Sequence, residues 1–471
     1  MSGNGDTSSS DGTPSISPDR KVIRVGSRQS CLAMIQTNYV IDLLRHIYPD
    51  HKFEIETMET IGDKNLDKAL PEIGDKGLFT QELEAALLND KVDFIVHSLK
   101  DLPTSLPSNC SIGAILLRED PSDVLVLKRG LVLDDPFTLI TEIFDLSSDN
   151  ELSNTTNGST SNSNGSSAES NNKNGSVGGD NLPEATKAPP IIGSSSLRRQ
   201  SQLRRFNHSI HVANVRGNIN TRLQKLDGVW TPPAGRHAQH YDALILAASG
   251  LKRGGFENRI SYVLGQQNAT NGSKDWYHAV GQGALVIECR QHDEFTHKFL
   301  APLTHRKTVY ETLAERSLLY HLEGGCSVPI GVRTEWSGNE NNDITLKGAI
   351  FSVDGCTTVA GEIRGSLVTQ VPEDHDELKV KRRKLGDEDN LIVGLPILPT
   401  SCPVLRSNYE ICFNLGKDLA HELQAKGGSE ILQEIKEEKE RRGKQRVQQH
   451  QQKESDSPSG SDEANSSFEP M

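Results

Sequence analysis

Lys100 and Asp101, in the stretch Val96-His97-Ser98-Leu99-Lys100-Asp101-Leu102-Pro103, stand where a charged pair can do chemistry. Val92, Phe94, Ile95 and Val96 read as a buried strand, and Pro103 forbids its continuation. In an open α/β sheet that end of a strand is where ligands bind. Alone, such a pair is a solvated turn, but four further stretches bring arginines to strand ends. Arg28 follows Gly26-Ser27; Arg198 and Arg199 follow Gly193-Ser194-Ser195-Ser196-Leu197; Arg216 opens Arg216-Gly217-Asn218, with Arg222 in the next helix; and Lys252-Arg253 follow Ser249-Gly250. Cations in a first helical turn oppose the helix dipole at about 0.3–1 kcal/mol each, so a repeated misfit of this kind points to an anion held nearby. The set describes a cleft for a ligand with several negative groups. A carboxylate among those arginines stays ionised, which suits Asp101 to stabilise a developing cation, to steer N–H donors or to move protons.

A thiol adds a covalent possibility. Cys326 sits in Glu323-Gly324-Gly325-Cys326-Ser327-Val328-Pro329, a tight loop and not an apolar strand, so it is accessible for bond formation. His321 lies five residues earlier outside any activating motif, which argues against a cysteine protease. The other cysteines, at 31, 110, 289, 356, 402 and 412, lack CxxC spacing and read as reduced thiols; no metal site is expected.

The elements that must position these residues alternate. Lys21–Val25 is a strand feeding a helix with Leu32, Ile35, Tyr39, Val40 and Leu43 on one face; Phe53–Met58 is a strand; Leu78–Leu88 is a helix; and Val92–Val96, Ile112–Leu117 and Val124–Leu127 are strands. This β-α-β-α-β series predicts a doubly wound parallel sheet. The pattern resumes with strands at 190–193, 210–215 and 243–248, and Val280-Gly281-Gln282-Gly283-Ala284 suits a crossover between two α/β lobes. A helix over Thr308–Leu322, strands over 344–351 and 357–363 and a helix from Ser407 give a smaller α+β unit. The Gly/Asp/Lys-rich stretch from Ile61 to Lys76 reads as a mobile loop over the cleft. The predicted division is a disordered extension at 1–19; domain 1 at 20–119 and 281–304; domain 2 at 120–280 with a disordered Asn/Ser/Gly insertion at 147–187; domain 3 at 305–425, carrying Cys326, with an insertion at 367–398; and a charged tail at 426–471.

Composition bounds the reading. The chain has 471 residues, a formal net charge of −13, 34% hydrophobic residues and a mean hydropathy of −0.51, enough for two or three cores with part of the chain unpacked. The acidic balance and sparse aromatics argue against nucleic-acid binding. No run reaches membrane-spanning length and no secretory or transit pattern opens the sequence, so the expected compartment is the cytoplasm and the expected state a monomer.

Seven motifs in register make the sequence resemble the porphobilinogen deaminase (hydroxymethylbilane synthase) family: Val-Gly-Ser-Arg28, His97-Ser-Leu-Lys100-Asp101-Leu-Pro, Gly193-Ser-Ser-Ser-Leu-Arg198-Arg199, Arg216-Gly-Asn-Ile-Asn-Thr-Arg222, Gly250-Leu-Lys-Arg253, Gly281-Gln-Gly-Ala and Leu322-Glu-Gly-Gly-Cys326-Ser-Val-Pro. The resemblance implies two periplasmic-binding-protein-like doubly wound lobes plus a smaller α+β C-terminal domain. It implies an enzyme of haem biosynthesis that joins four porphobilinogen units head to tail, releasing ammonia at each addition and hydroxymethylbilane by hydrolysis. It implies a dipyrromethane cofactor joined by a thioether to Cys326, with Lys100, Ser195, Arg198, Arg199, Arg222 and Arg253 binding the cofactor, Arg28, Gln36 and Arg216 binding substrate, and Asp101 acting in catalysis on the cationic azafulvene. Cys31 stands where relatives often have Gln. The competing reading is a non-catalytic two-lobe anion-binding module, since one fold serves many functions.

Overall fold

Two five-stranded sheets repeat one strand order in the computed structural model of the chain. It describes residues 20–60, 62, 79–130, 190–232, 237–265, 275–322, 328–338, 342–368, 391–392, 394–396 and 403–455, with side chains to 445 in the last stretch. The extension at 1–19, the insertion at 147–187 and nearly all of the 61–76 loop lie outside the described residues, as does most of the stretch 367–398.

The first sheet contains β1 (Val22–Arg28), β2 (Lys52–Met58), β3 (Phe94–Ser98), β4 (Cys110–Ile115) and β10 (Leu285–Arg290), in the order β2-β1-β3-β10-β4. The second contains β5 (Asp123–Leu127), β6 (Ile191–Gly193), β7 (His211–Ala213), β8 (Ala243–Ala247) and β9 (Tyr262–Val263), in the order β7-β6-β8-β5-β9. In each sheet the first three strands run parallel and the fourth runs antiparallel to both of its neighbours. The sheets are therefore mixed, and β5 does not extend the first sheet. Only seven residues separate β4 from β5, too few for a parallel crossover; the chain instead passes to the second sheet there and returns between β9 and β10.

Local signals place the helices. The Ser30 hydroxyl caps α1 (Cys31–Ile47) by accepting from the Ala33 N–H, and α1 buries Ala33, Val40, Ile41 and Leu44. Helix α2 (Gln81–Leu88) precedes β3, and α3 (Leu197–Phe206) follows β6 with no side-chain cap and two arginines in its first turn. Helix α4 (Ile219–Asp227) is capped by Asn218 and ends on Gly228 at φ 73°, the left-handed conformation of a C-terminal glycine. The short α5 (Ala248–Arg253) and α6 (Glu294–Leu300) follow β8 and β10.

The third unit packs α7 (Arg306–His321) and α8 (Pro403–Leu423) on an antiparallel sheet of β11 (Ile330–Ser337), β12 (Asp343–Phe351) and β13 (Thr358–Ser366). Its core is continuous with the first lobe: Leu99, Leu102, Ile112, Val280 and Val286 share one buried cluster with Leu313, Leu318, Leu346 and Leu419. Helix α9 (Ser429–Ser455) follows a bend at Gly427, φ 102°, and adds Ile431, Leu432 and Ile435 to this core.

Candidate active site

The apolar β3 ends at Ser98 and turns through one 3-10 turn, Leu99–Asp101. Leu99 is buried and its N–H donates to Ala284 O at 3.0 Å, so the turn is anchored to the returning crossover. Lys100 and Asp101 are half-buried, and among the described residues neither makes a hydrogen bond or an ion pair. Burial, and then the neighbouring Arg199 and Arg198, push the Lys100 ammonium below its usual pKa; Asp101 and Asp123 offset this in part.

Across the cleft, Arg198 and Arg199 point inward from the first turn of α3, and the anion they meet is the protein's own. Arg198 Nη1 donates to Asp123 Oδ2 at 2.7 Å and to Tyr277 O at 2.6 Å. Arg199 donates through Nε (3.0 Å) and Nη2 (2.8 Å) to Asp123 Oδ1 and through Nη1 to Ile245 O at 3.0 Å. Trp276 Nε1 and Gln282 Nε2, both at 2.9 Å, complete five donors around this fully buried carboxylate. Burial works against the charged form of Asp123, and the two guanidinium groups overcome it, holding its pKa far below the ordinary range. Sequence reading passed over Asp123. The signal was an acid heading the otherwise apolar strand Asp123-Val-Leu-Val-Leu.

Arg222, on α4, donates Nε to Gly217 O at 2.7 Å. Its pKa is pressed down to about 10, first by burial and then by Arg199 and Arg216, with Asp101 pulling the other way. Among the described residues, Asp101 and Asp123 are the acids that offset Lys100, Arg198, Arg199 and Arg222, and Arg216 adds charge beside Arg222. Lys100, Arg198 and Arg222 are crowded by like charges in a buried site and their pKa values are depressed, so an anion that enters it stabilises them. Four of the expected residues meet here with Asp101.

The remaining expected residues sit around this centre. The Ser195 hydroxyl donates to Val215 O (2.9 Å) and accepts from Val215 N–H (3.0 Å), bridging the ends of β6 and β7. The Arg28 guanidinium lies over the Phe79 ring, 4.3 Å from its centroid. Gln36 is buried on α1 and donates to the Ser98 hydroxyl at 3.0 Å. Arg253 stands between the lobes, donating to Glu119 Oε1 at 2.9 Å and to Gly283 O at 2.6 Å. Gly283 has φ 90°, and a Cβ there would lie 2.3 Å from Glu119 O, so only glycine lets the two crossovers approach this closely. With Gln36, Tyr39 and Lys252, Arg253 lines a cavity of about 280 Å³. Cys326 lies outside the described residues, between Leu322 at the end of α7 and Val328. A Cβ on Gly331, five residues after Cys326, would touch Arg198 Cδ at 3.4 Å. Among the described residues no cluster of side chains could hold a metal ion, and no helix is long and apolar enough to cross a membrane.

The chain matches the model of the porphobilinogen deaminase dipyromethane cofactor binding domain over residues 23–140 and 177–298, and that of the porphobilinogen deaminase C-terminal domain over 309–377. The chain belongs to the porphobilinogen deaminase family. Curated relatives named porphobilinogen deaminase agree: that of Nostoc sp. is 42% identical over 75% of this chain and 89% of its own. Those of Synechococcus elongatus and Neurospora crassa are each 38% identical, over 89% and 74% of this chain and 97% and 86% of theirs. Among solved structures, the periplasmic aliphatic sulphonate binding protein SsuA of Escherichia coli overlays 64% of this chain and 75% of its own at TM-score 0.28 and 10% identity. The protein is accordingly an enzyme, a transferase of tetrapyrrole biosynthesis, whose two α/β lobes match the dipyromethane cofactor binding domain and whose smaller C-terminal unit completes the fold. Family membership decides against the non-catalytic module.

Proposed function

We propose that the cleft divides the deaminase reaction between one uncommitted carboxylate and a cationic shell. The observation that carries this is the contrast between the two acids: Asp123 is saturated by five donors, while Asp101 accepts no hydrogen bond among the described residues. Each pyrrole ring of substrate and cofactor bears an acetate and a propionate, so the surplus of buried cations fits a dipyrromethane with four carboxylates. In this reading Lys100, Arg198, Arg199 and Arg222 hold cofactor carboxylates, with Ser195 fixing the turn beside them and Arg253 the approach between the lobes. Arg28, Gln36 and Arg216 receive substrate. When bound, the dipyrromethane would supply the free pyrrole carbon to which the first new ring is joined, and each added ring would supply that carbon for the next.

Asp101 then acts on porphobilinogen. Departure of the amino group as ammonia leaves the substrate methylene electron-poor, and the carboxylate stabilises that cation and accepts the pyrrole N–H. Loss of the proton from the attacked carbon restores aromaticity, and Asp101 is placed to carry it.

Cys326 is the proposed attachment point. Five residues span at most about 17 Å, which tethers its thiol within that reach of Gly331 and hence of Arg198. We place domain 1 at 20–119 and 281–304, domain 2 at 120–280, domain 3 at 305–425 and a charged appendage after 426, in a cytoplasmic monomer that binds no nucleic acid; the separate sheets and the absence of long apolar helices among the described residues support this division. Intact-mass measurement of the purified chain tests the attachment. The expected adduct is two porphobilinogen units less two molecules of ammonia, lost in Cys326→Ser; a chain at its bare sequence mass, or an adduct that survives that substitution, overturns it.

A further inference from the structure

Helix α7 carries two consecutive charged side chains that are both buried, Glu315 at 0% and Arg316 at 1% exposure. They face different partners. The Glu315 carboxylate accepts from Arg118 Nη1 (2.8 Å) and Nη2 (3.0 Å), from the Gly281 N–H (2.8 Å) and from the Thr334 hydroxyl (2.9 Å). Arg118 belongs to the outgoing connection between the lobes and Gly281 to the returning one, so a single carboxylate ties both crossovers to β11.

Arg316 reaches into the first lobe. Its Nη1 donates to Leu102 O at 3.0 Å and its Nη2 to Pro103 O at 2.7 Å, the two carbonyls that directly follow Asp101. Burial presses its pKa down to about 10, and the carboxylate of Glu288 on β10 pulls it back up. Glu288 also pairs with His97 Nε2 at 3.0 Å, three residues before Lys100. The turn is thus gripped behind and ahead of its charged pair. Holding a full charge in an apolar interior with carbonyl partners is costly, and packing the same space with a methionine would not carry that cost. Two of the Arg316 donors reach the turn.

Helix α7 stops at His321, five residues before Cys326, and Val309, Leu313 and Leu318 pack in the same cluster as Leu99 and Leu102. We propose that Arg316 is a positioning residue that locks the Lys100-Asp101 turn to the helix leading to Cys326, so that the catalytic carboxylate and the cofactor-bearing unit keep one fixed spacing. This rests on the roles given above to Asp101 and Cys326. A misplacement of about 1 Å at a reacting centre costs up to about 100-fold in rate, and the coupling guards against such a shift.

The test uses the full chain loaded with its cofactor, comparing Arg316→Met and Arg316→Lys with the parent. Both variants should carry the full adduct mass and keep KM within about twofold, with kcat down about 10- to 100-fold in Arg316→Met. Arg316→Lys should recover at least a third of that loss on a logarithmic scale, because an ammonium restores charge opposite Glu288 and one donor. If the methionine variant does not fold, Arg316→Gln takes its place with the same expectation. Parent-like kcat in a loaded Met or Gln variant overturns the proposal, as does a lysine variant no faster than either. Asp101→Asn run in parallel separates the two readings: if it is active, the role of Asp101 falls; if it is inactive while Arg316→Met is fully active, only the coupling falls.

Discussion

Replacing Asp123 by Asn removes one negative charge and exchanges an acceptor oxygen for an NH2 group. The carboxylate now accepts from Arg198 Nη1, Arg199 Nε and Nη2, Trp276 Nε1 and Gln282 Nε2, all between 2.7 and 3.0 Å. One amide oxygen keeps about two of those donors, and the NH2 group faces the rest. Two buried guanidinium groups then lie beside Lys100 without their counter-charge. Breaking a buried pair from one side costs about 3–5 kcal/mol, so the cofactor-free Asp123→Asn chain should lose stability of that order at pH 7. Urea unfolding followed by tryptophan fluorescence is a suitable assay, because Trp276 is itself a donor in the network. The sign with pH follows from the depressed pKa: the stabilisation is present in full above the ordinary carboxylate value of about 3.9 and fades only as pH falls toward the lowered folded value. Parent and variant should converge in acid. With the cofactor in place, its carboxylates supply charge to the same guanidinium groups, and the loss should shrink. A variant within about 0.5 kcal/mol of the parent, or a loss of equal size with and without cofactor, would refute the electrostatic account of the site.

Asp101→Asn should cost less stability than Asp123→Asn, because Asp101 accepts no hydrogen bond among the described residues and offsets Lys100 and Arg222 only through its charge, while ring addition slows by about 100-fold or more; stopped-flow turnover and thermal unfolding check the two halves. Lys100→Met should leave the cofactor-free chain as stable as the parent or more so and still depress turnover. The parent's ammonium is disfavoured by the fold, so the parent alone should gain stability as pH rises through that depressed pKa toward the ordinary value near 10.4, a rise absent from the variant in pH-dependent unfolding. His278, buried where the returning crossover pairs with Val332, has its pKa pushed down to about 4, mainly by burial. The unfolded chain therefore binds the extra proton first, and stability should fall by on the order of 3 kcal/mol between about pH 6.5 and pH 4. His278→Gln should flatten the unfolding profile in that window.

The turn that carries Asp101 was legible because two local rules agree there: an apolar β-rich run specifies β3, and Pro103 ends it next to a charged pair. The arginines were legible for a similar reason, since Gly/Ser turns at strand ends mark where side chains enter a cleft. Their partners were not. Arg198 meets an acid 75 residues away, Arg118 one 197 residues away, and Arg316 a pair of carbonyls 214 and 213 residues away. Such pairings depend on which strands share a sheet, and local periodicity carries no information on that. The same limit explains β5: its apolar run identifies a strand, while its sheet and direction follow from a connection too short to cross over in parallel. Ser195 shows the converse, a residue expected to meet the cofactor whose hydroxyl bridges the Val215 backbone.

A crystal structure of the loaded Asp101→Asn chain with porphobilinogen tests the central claim most directly. The account predicts ring carboxylates within about 3.2 Å of Lys100 and Arg222, and the substrate pyrrole N–H directed at residue 101. Carboxylates turned to solvent, with the buried cations still facing one another and residue 101 out of reach of the ring, would contradict it.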